Sequence, residues 1–168
     1  MHNEEKISAA DPLLKVLKQN TRESDEVIAK ELGTTPEDVA KRIADYEKQG
    51  VIRGFQAVLN TDRLDDRTVH AVIELRIRPE REGGFDSLAR RICRFSQVES
   101  LYLMSGSYDL LLFVKGESLQ EVANFVSARL ATLDGVLGTA THFMLKTYKD
   151  SGVLMEGNGY DDRLQVCP

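Results

Sequence analysis

The stretch ELGTTPEDVAKR, Glu31 to Arg42, has the residue spacing of a helix-turn-helix, a motif that places a helix in the major groove of DNA. Ala29 stands four residues before Gly33, and Val39 follows six residues after it. A small residue lets two helices cross closely, glycine permits the tight turn, and a β-branched residue anchors the second helix. The spacing favours DNA binding. An unrelated three-helix bundle is the alternative, because alanine and glycine are common.

The charge of this stretch is unusual for a surface that meets a polyanion. Glu37 and Asp38 fall in the first turn of the second helix, where such a helix first approaches DNA. The 168-residue chain has a net charge of −5, of which residues 1–60 contribute −2, from 9 basic and 11 acidic residues. Nucleic-acid binding depends on where charge lies rather than on its total. The composition therefore predicts weak non-specific affinity for one domain without excluding DNA binding.

Both acids have a local explanation within their helix. The helix dipole favours negative charge in the first turn. Glu37 stands four residues before Lys41, and Asp38 stands four before Arg42, which is the spacing of stabilising ion pairs. We therefore expect each acid to pair with a base, so that DNA must compete for the same two cations.

Other kinds of site find little support in the residue types. His2, His70 and His142 have no metal-ligand spacing with Cys93 or Cys167, and no glycine-rich phosphate loop follows a strand. Two distant cysteines indicate free thiols in a reduced, cytoplasmic protein. No apolar run approaches the roughly 20 residues that cross a bilayer, and the acidic N-terminus lacks the apolar stretch of a secretory signal. We expect no metal and no cofactor.

Three helices must position the helix-turn-helix. Hydrophobic spacing predicts them over DPLLKVLKQ, SDEVIAKEL and TPEDVAKRIADYEKQG, with Asp11, Ser24 and Thr35 as their N-caps. VIRGFQAVLN, residues 51–60, contains β-type residues and predicts the strand that completes a winged domain. TDRLDDRT, residues 61–68, is polar and indicates a linker.

After the linker the hydrophobic period changes. VHAVIELRI alternates strictly, which predicts a half-buried strand. REGGFDSLARRICRF and SLQEVANFVSARLATL predict helices, the second with Leu119, Val122, Val126, Leu130 and Leu133 inward. VESLYLMSGSYDLLLFVKG predicts two strands joined at Gly106-Ser107, and GVLGTATHFMLKTYK a fourth. The order β-α-β-β-α-β is the ferredoxin-like arrangement, and the fold class is α+β.

One face of this predicted sheet lacks a cover. Two helices shield only one side of four antiparallel strands, yet the run Leu110 to Val114 is apolar on both sides. Self-association through the second face is the natural solution. The polar C-terminal tail is expected to be flexible or to dock on a neighbour. The expected divisions are residues 1–60 for the winged helix-turn-helix, 61–68 for the linker, 69–150 for the ferredoxin-like domain and 151–168 for the tail.

The order of these two halves resembles the Lrp/AsnC, or feast/famine, transcription regulators. The resemblance spans about Asp11 to Lys149. Its most specific pieces are the Gly-x-aromatic-Asp step in SGSYDLLL and the GV…T.T strand in LDGVLGTATHFML. It implies DNA binding by dimers or by larger assemblies such as octamers. It also implies a C-terminal domain that senses a small molecule, typically an amino acid.

By this resemblance the DNA-reading helix is Pro36 to Lys48. A rotation of about 100° per residue, with Val39 buried, places Glu37, Lys41, Asp45 and Lys48 on its outer face. Lys41 and Arg42 match the basic pair usual in the family, and the threonines at the start of the helix are candidates for phosphate contact. A solvated surface charge is the ordinary explanation for each basic residue alone. The expected DNA contacts are Thr34, Thr35, Lys41, Arg42, Lys48 and Arg53, with Arg22 and Lys30 as further backbone contacts.

The resemblance also places an effector site between dimers, near the strand–strand loop. Glycine there permits close backbone approach, the carboxylate of Asp109 suits an ammonium group, and threonine hydroxyls suit a carboxylate. The alternative is a tight hairpin in which Asp109 accepts hydrogen bonds from turn amides. The matching positions are Ser105, Gly106, Tyr108, Asp109, Thr139 and Thr141.

Two other functions stay open beside a ligand-responsive regulator. Sirohaem decarboxylases share the two-domain build, but no histidine-rich motif supports that enzyme here, and dispersed arginines are usually solvated. An oligomeric sensor or corepressor that no longer binds DNA is the other, with Glu37 and Asp38 as its best support. The sequence favours a regulator that is not an enzyme. The arginines that would meet tetrapyrrole carboxylates are Arg76, Arg78, Arg81, Arg90, Arg91 and Arg94.

Overall fold

A computed structural model describes residues 8–65, 67–79 and 84–156, and the chain divides into two units, Met1–Ala57 and Val58–Pro168. The first unit contains three helices: α1, Pro12–Gln19; α2, Asp25–Leu32; and α3, Pro36–Lys48. Asp11, Ser24 and Thr35 cap them, each accepting hydrogen bonds from amides of the first turn, as predicted. Gly33 ends α2 in the left-handed conformation, with φ of 68°, which glycine adopts without strain.

The core of the first unit joins all three helices. Leu13, Leu17, Ile28, Ala29 and Val39 are buried together. Ala29 and Val39 are the residues whose spacing around Gly33 predicted the crossing of α2 and α3. The helix-turn-helix geometry therefore follows from a small residue at the crossing and a β-branched anchor on the next helix.

The segment after α3 differs from the expectation. Residues 51–60 form no strand, and no described segment pairs with them. A strand requires a ladder of hydrogen bonds to a neighbour, and β-type residues alone do not supply one. Several apolar side chains stay exposed here, including Phe55 at 50% and Leu59 at 59%.

The second unit is a four-stranded antiparallel sheet with the strand order β2-β3-β1-β4. Its strands are β1, Val69–Ile77; β2, Val98–Leu103; β3, Leu110–Gly116; and β4, Val136–Phe143. Strand β1 has the predicted bounds, and its alternate residues from Ala71 to Ile77 are buried. The element order and this sheet order confirm the ferredoxin-like arrangement.

Two helices cover one face of this sheet. Helix α4 spans Asp86–Ile92, shorter than predicted, and its expected start at residues 81–83 lies outside the described chain. Helix α5 spans Leu119–Phe125 and continues as a π-helical segment, Val126–Leu130. The inward prediction for Leu119 is wrong: it lies in the first turn and is 56% exposed. Phe125 is buried instead and packs edge-to-face on Phe95.

The predicted fourth strand is too long. Strand β4 ends at Phe143, and a short hairpin follows, with β5 at Lys149–Asp150 and β6 at Val153–Leu154. Ser151 and Gly152 turn this hairpin with φ of 48° and 88°, the positive values that a type I′ turn requires at both central residues. The first residues of the expected tail are therefore structured, whereas residues 157–168 lie outside the described chain.

Among the described residues, no second layer of helices covers the face of the sheet opposite α4 and α5, which we call the open face. Val72, Leu111, Phe113 and Tyr102 lie on it, and the rings of Tyr102 and Phe113 meet edge-to-face at 6.1 Å. Phe113 is half-buried and Tyr102 is 51% exposed. We call these four residues the open-face patch.

None of the helices in the described ranges is long and apolar enough to cross a membrane.

Candidate DNA-binding surface and effector groove

The outer face of α3 presents two lysines. Lys41 is exposed and makes no ion pair with a described residue. Lys48 is 79% exposed at the side chain, and its Nζ lies 4.0 Å from Asp45 at the limit of an ion pair. Exposed pairs of this kind contribute little to stability, so both lysines are accessible to a phosphate or a base edge.

Arg42 is occupied within the domain. Its Nη2 donates to both carboxylate oxygens of Asp11, at 3.0 and 2.9 Å, and its Nη1 lies 3.8 Å from Asp38. The hydroxyl of Tyr46 donates to the same Asp11 carboxylate at 2.9 Å. A DNA contact by Arg42 requires this cluster to open, so the basic pair expected from the sequence is divided between two roles.

The carboxylate at the centre of this cluster is stabilised in its charged form. Partial burial raises the pKa of Asp11, but the hydrogen bond from Tyr46, the amides of Leu14 and Leu13 and the charge of Arg42 outweigh that effect. The pKa of Asp11 therefore lies below its ordinary value. One side chain both caps α1 and holds α3 against it.

The turn before α3 depends on Asp38. The hydroxyl of Thr34 donates to its carboxylate at 3.0 Å, and the oxygen of Thr35 accepts from its amide at 3.3 Å. The expected pairing of Asp38 with Arg42 is confirmed, at 3.8 Å. The expected pairing of Glu37 with Lys41 is not formed. The two acids that looked alike in the sequence thus differ: Asp38 is bonded, and Glu37 is exposed.

The remaining basic candidates lie on other parts of the first unit. Arg22 and Lys30 are exposed. Arg53 is exposed and lies beside Gly50, where an added Cβ would come 3.2 Å from its Nη1. Arg53 also lines a mainly apolar groove of about 520 Å³ between α1 and the segment after α3, together with Lys18.

The loop between β2 and β3 is tied to β1 by Asp109. Its carboxylate accepts from the amide of Ile77 at 2.7 Å, and its own amide donates to the carbonyl of Leu75 at 2.9 Å. Its carbonyl accepts from the amide of Met104 at 2.8 Å. The carboxylate of Asp109 is therefore already engaged, but by an amide of the neighbouring strand β1 and not by the turn amides of the alternative explanation.

A groove of about 320 Å³ lies beside this loop, at the end of the sheet where β1 pairs with β4. It contains two of the six expected effector residues, Tyr108 and Thr139. Ser105 and Gly106 are exposed outside it, and Thr141 pairs with Ile73, whose side chain faces the helices. The groove is lined by Glu74, Arg76, Ser107, Tyr108, Gly138, Thr139 and Ala140.

Sequence reasoning did not assign Glu74 and Arg76 to the effector site. Both occupy the outward positions of β1, which alternate with buried Ile73, Leu75 and Ile77. The same alternation that predicted the strand placed them on the open face. What the sequence lacked was the pairing of β1 with β4, which brings Arg76 opposite Gly138.

Metal and tetrapyrrole sites gain no further support. The described ranges contain no group of three or more His, Cys, Asp or Glu side chains that could hold a metal. His70 lies 3.3 Å from Glu99 and His142 lies 3.4 Å from Glu74, both on the sheet. Cys93 is an exposed free thiol. His2, Arg81 and Cys167 lie outside the described residues.

Comparison with known proteins gives matches over both units. Residues 70–154 match the Lrp/AsnC ligand binding domain. The HTH-type transcriptional regulator YugG of Bacillus subtilis is 43% identical over 157 residues, covering 93% of this chain and 95% of that protein. The leucine-responsive regulatory protein of Haemophilus influenzae is 27% identical over 143 residues, covering 85% of this chain and 86% of that protein.

Two solved structures share the fold. A transcriptional regulator of Neisseria meningitidis in complex with L-Met superposes with a TM-score of 0.67 at 23% identity, covering 86% of this chain and 94% of that one. AsnC of E. coli superposes with a TM-score of 0.61 at 20% identity, covering 81% and 89%.

Proposed function

Because this chain belongs to the Lrp/AsnC family of HTH-type transcriptional regulators, we propose that it binds specific DNA sequences through α3 and responds to an amino acid bound by its C-terminal unit. The observation that supports DNA reading most directly is the outward face of α3, where Lys41 is exposed and unpaired with any described residue. The site of action follows from this role and is the cytoplasm.

The residues that we propose as DNA contacts differ in whether their side chains are already bonded within the first unit. Lys41, Lys48 and Arg53 are exposed and available. Thr35 caps α3, and Thr34 donates to Asp38, so both lie at the N-terminus of the helix, where backbone amides also favour phosphate oxygens. Arg42 acts first as a structural residue and would reach DNA only by leaving Asp11.

An amino-acid effector agrees with two of the matched proteins. One solved neighbour holds L-Met, and one relative is named as a leucine-responsive protein. In this chain the groove beside the β2–β3 loop is the candidate site, and Tyr108 and Thr139 are the predicted residues within it. The predictions for Ser105, Gly106, Asp109 and Thr141 stay predictions, with Asp109 bonded to Ile77.

We further propose that the chain self-associates as a dimer, and as an octamer built from dimers, through the open-face patch. Its four apolar side chains lack a covering layer among the described residues of their own unit. Association brings several helix-turn-helix units to one duplex, which raises affinity without new contacts. That gain matters here because each first unit carries a net charge near −2. The relatives are named as regulators rather than enzymes, and we propose no catalytic activity.

Selection of bound sequences from random duplex DNA tests this function. The full chain should enrich a roughly palindromic motif, and adding single L-amino acids should change the enrichment. Lys41→Ala should abolish it, whereas Lys15→Ala, at an exposed position of α1, should not. Lys41 is preferred to Arg42 as the test because replacing Arg42 also removes a contact that holds the fold.

The negative outcome is informative in the same experiment. No enrichment by an intact, oligomeric protein would contradict sequence-specific DNA binding. It would favour the sensor or corepressor function instead. Retained enrichment by Lys41→Ala would show that residues other than Lys41 read the DNA.

A further inference from the structure

The groove beside the β2–β3 loop carries one cation and one anion on the same strand. Arg76 and Glu74 are two residues apart on β1 and project to the same, open face of the sheet. We propose that this pair recognises the two charged ends of a free α-amino acid, with Arg76 holding the carboxylate and Glu74 holding the ammonium group. This inference rests on the proposed effector binding and names the residues and the ligand chemistry that carry it.

Arg76 is a free cation positioned over the groove. Its side chain is exposed and forms no hydrogen bond or ion pair with any residue in the described ranges. A guanidinium presents paired N–H donors that match the two oxygens of a carboxylate. Arg90 on the same unit, by contrast, already lies 3.7 Å from the carboxylate of Asp86.

Gly138 provides the space that Arg76 occupies. The two residues are opposite one another on β1 and β4. A Cβ added at Gly138 would lie 3.4 Å from Nη2 and 3.7 Å from Nε of Arg76. The guanidinium therefore lies against bare backbone, and a large side chain at this position would displace it.

Glu74 supplies the complementary charge. Its Oε1 lies 3.4 Å from Nε2 of His142, while Oε2 has no partner among the described residues. The side chain is 34% exposed, so a ligand can reach the free oxygen. Along a strand, residues two apart are separated by about 7 Å, and flexible side chains can converge from there on a small zwitterion.

The mixed charge of the groove limits the class of ligand. A simple anion would satisfy Arg76 but would be repelled by Glu74, and a simple amine would meet the reverse. Only a molecule with both charges satisfies both residues. The ring of half-buried Tyr108 and the side chain of Ala140 border the rest of the groove, and they suit an apolar side chain better than a charged one.

The test measures the affinities of two variants for three ligands. Each of the twenty common L-amino acids is titrated into the full chain by calorimetry, and the tightest binder is compared with its decarboxylated amine and its desamino acid. Arg76→Gln should weaken the amino acid and the desamino acid at least tenfold and leave the amine unchanged. Glu74→Gln should weaken the amino acid and the amine at least tenfold and leave the desamino acid unchanged.

Matched controls and a milder variant complete the experiment. Arg129→Gln and Glu117→Gln remove the same charges from exposed positions outside the groove and should change no affinity. Arg76→Lys keeps the charge without the paired donors and should give an intermediate loss. Unfolding curves of all variants should coincide with the wild type, because the side chains of Arg76 and Glu74 are not part of the core.

The failures of this inference and of the proposed function are distinguishable. Equal amino-acid affinity in Arg76→Gln and the wild type would overturn the inference while leaving effector binding intact. If no amino acid binds, this inference and the effector assignment both fail, and DNA selection by the unliganded chain still decides the regulatory function separately.

Discussion

Glu37 and Asp38 are adjacent acids with different physical surroundings. Asp38 accepts the hydroxyl of Thr34 and lies 3.8 Å from Arg42. Glu37 is exposed and lacks an ion-pair partner among the described residues, and its carboxylate lies one turn from Lys41. Negative charge at Asp38 therefore stabilises the turn, whereas negative charge at Glu37 mainly repels a nearby phosphate.

We expect Glu37→Gln to tighten DNA binding about two- to fivefold across sequences, since one charge near a phosphate is worth up to about 1 kcal/mol in water. Asp38→Asn should give no such gain and should lower the midpoint of thermal unfolding, because the turn loses a charged acceptor. Fluorescence anisotropy with one duplex measures the first effect, and circular dichroism the second. Equal tightening by both variants would contradict this separation of roles.

At the scale of elements, Asp11 joins α1 to α3. It caps its own helix through the amides of Leu13 and Leu14, and it holds Arg42 and Tyr46 on the other. The N-cap was predictable from the sequence, because a cap and its helix are adjacent in the chain. The contact with Arg42, 31 residues away, was not, because it depends on how the two helices cross.

We expect Asp11→Asn to remove the ionic contact with Arg42 while keeping the N-cap of α1. Asparagine still caps a helix but lacks the charge that Arg42 requires. The pKa of Asp11 is lowered in the folded state, so its contribution is present above the unfolded pKa of about 3.9 and is lost as the pH falls through the folded value. The variant should be less stable than the wild type by about 1–3 kcal/mol at pH 7, and the difference should shrink below about pH 4.

Urea unfolding of the full chain at pH 7 and pH 3, followed by circular dichroism, measures this difference. Asp45→Asn is the matched control, because the carboxylate of Asp45 pairs with no described residue except exposed Lys48, at 4.0 Å, and the variant should change stability little at either pH. A difference that persists undiminished at pH 3 would show that the ionised carboxylate is not what stabilises the domain.

The elements themselves illustrate what sequence patterns determine. Strict alternation fixed β1, and caps fixed the three N-terminal helices, since these signals are local. The two wrong predictions, Leu119 inward and a strand at residues 51–60, concern features that local signals do not determine. Whether Leu119 is buried depends on how the first turn of α5 lies on the sheet. A strand at residues 51–60 needs a pairing partner, which no described segment provides. The groove residues Glu74 and Arg76 were not assigned to the effector site for the same reason.

At the scale of the whole molecule, the open-face patch should control assembly. Phe113 lies at its centre, beside Tyr102 and across from Val72. We expect Phe113→Lys to shift the protein toward monomers, because a lysine buried in an apolar interface is costly. Analytical ultracentrifugation measures the shift. Leu119→Lys is the matched control, since Leu119 is exposed on a helix of the covered face and should leave assembly unchanged. An unchanged oligomeric state in Phe113→Lys would show that the interface lies elsewhere.

The occupation of Arg42 by Asp11 sets how the protein should respond to ionic strength. Because Arg42 is bonded to Asp11, three exposed cations remain among the six DNA contacts proposed for one unit, namely Lys41, Lys48 and Arg53. Binding then displaces about three counterions, and log K should fall with log [salt] with a slope of roughly −3 for one unit and twice that for a dimer. The number of counterions released therefore reports how many helix-turn-helix units contact the DNA. A slope that steepens with protein concentration would show that occupancy of an operator is set by assembly rather than by any single helix.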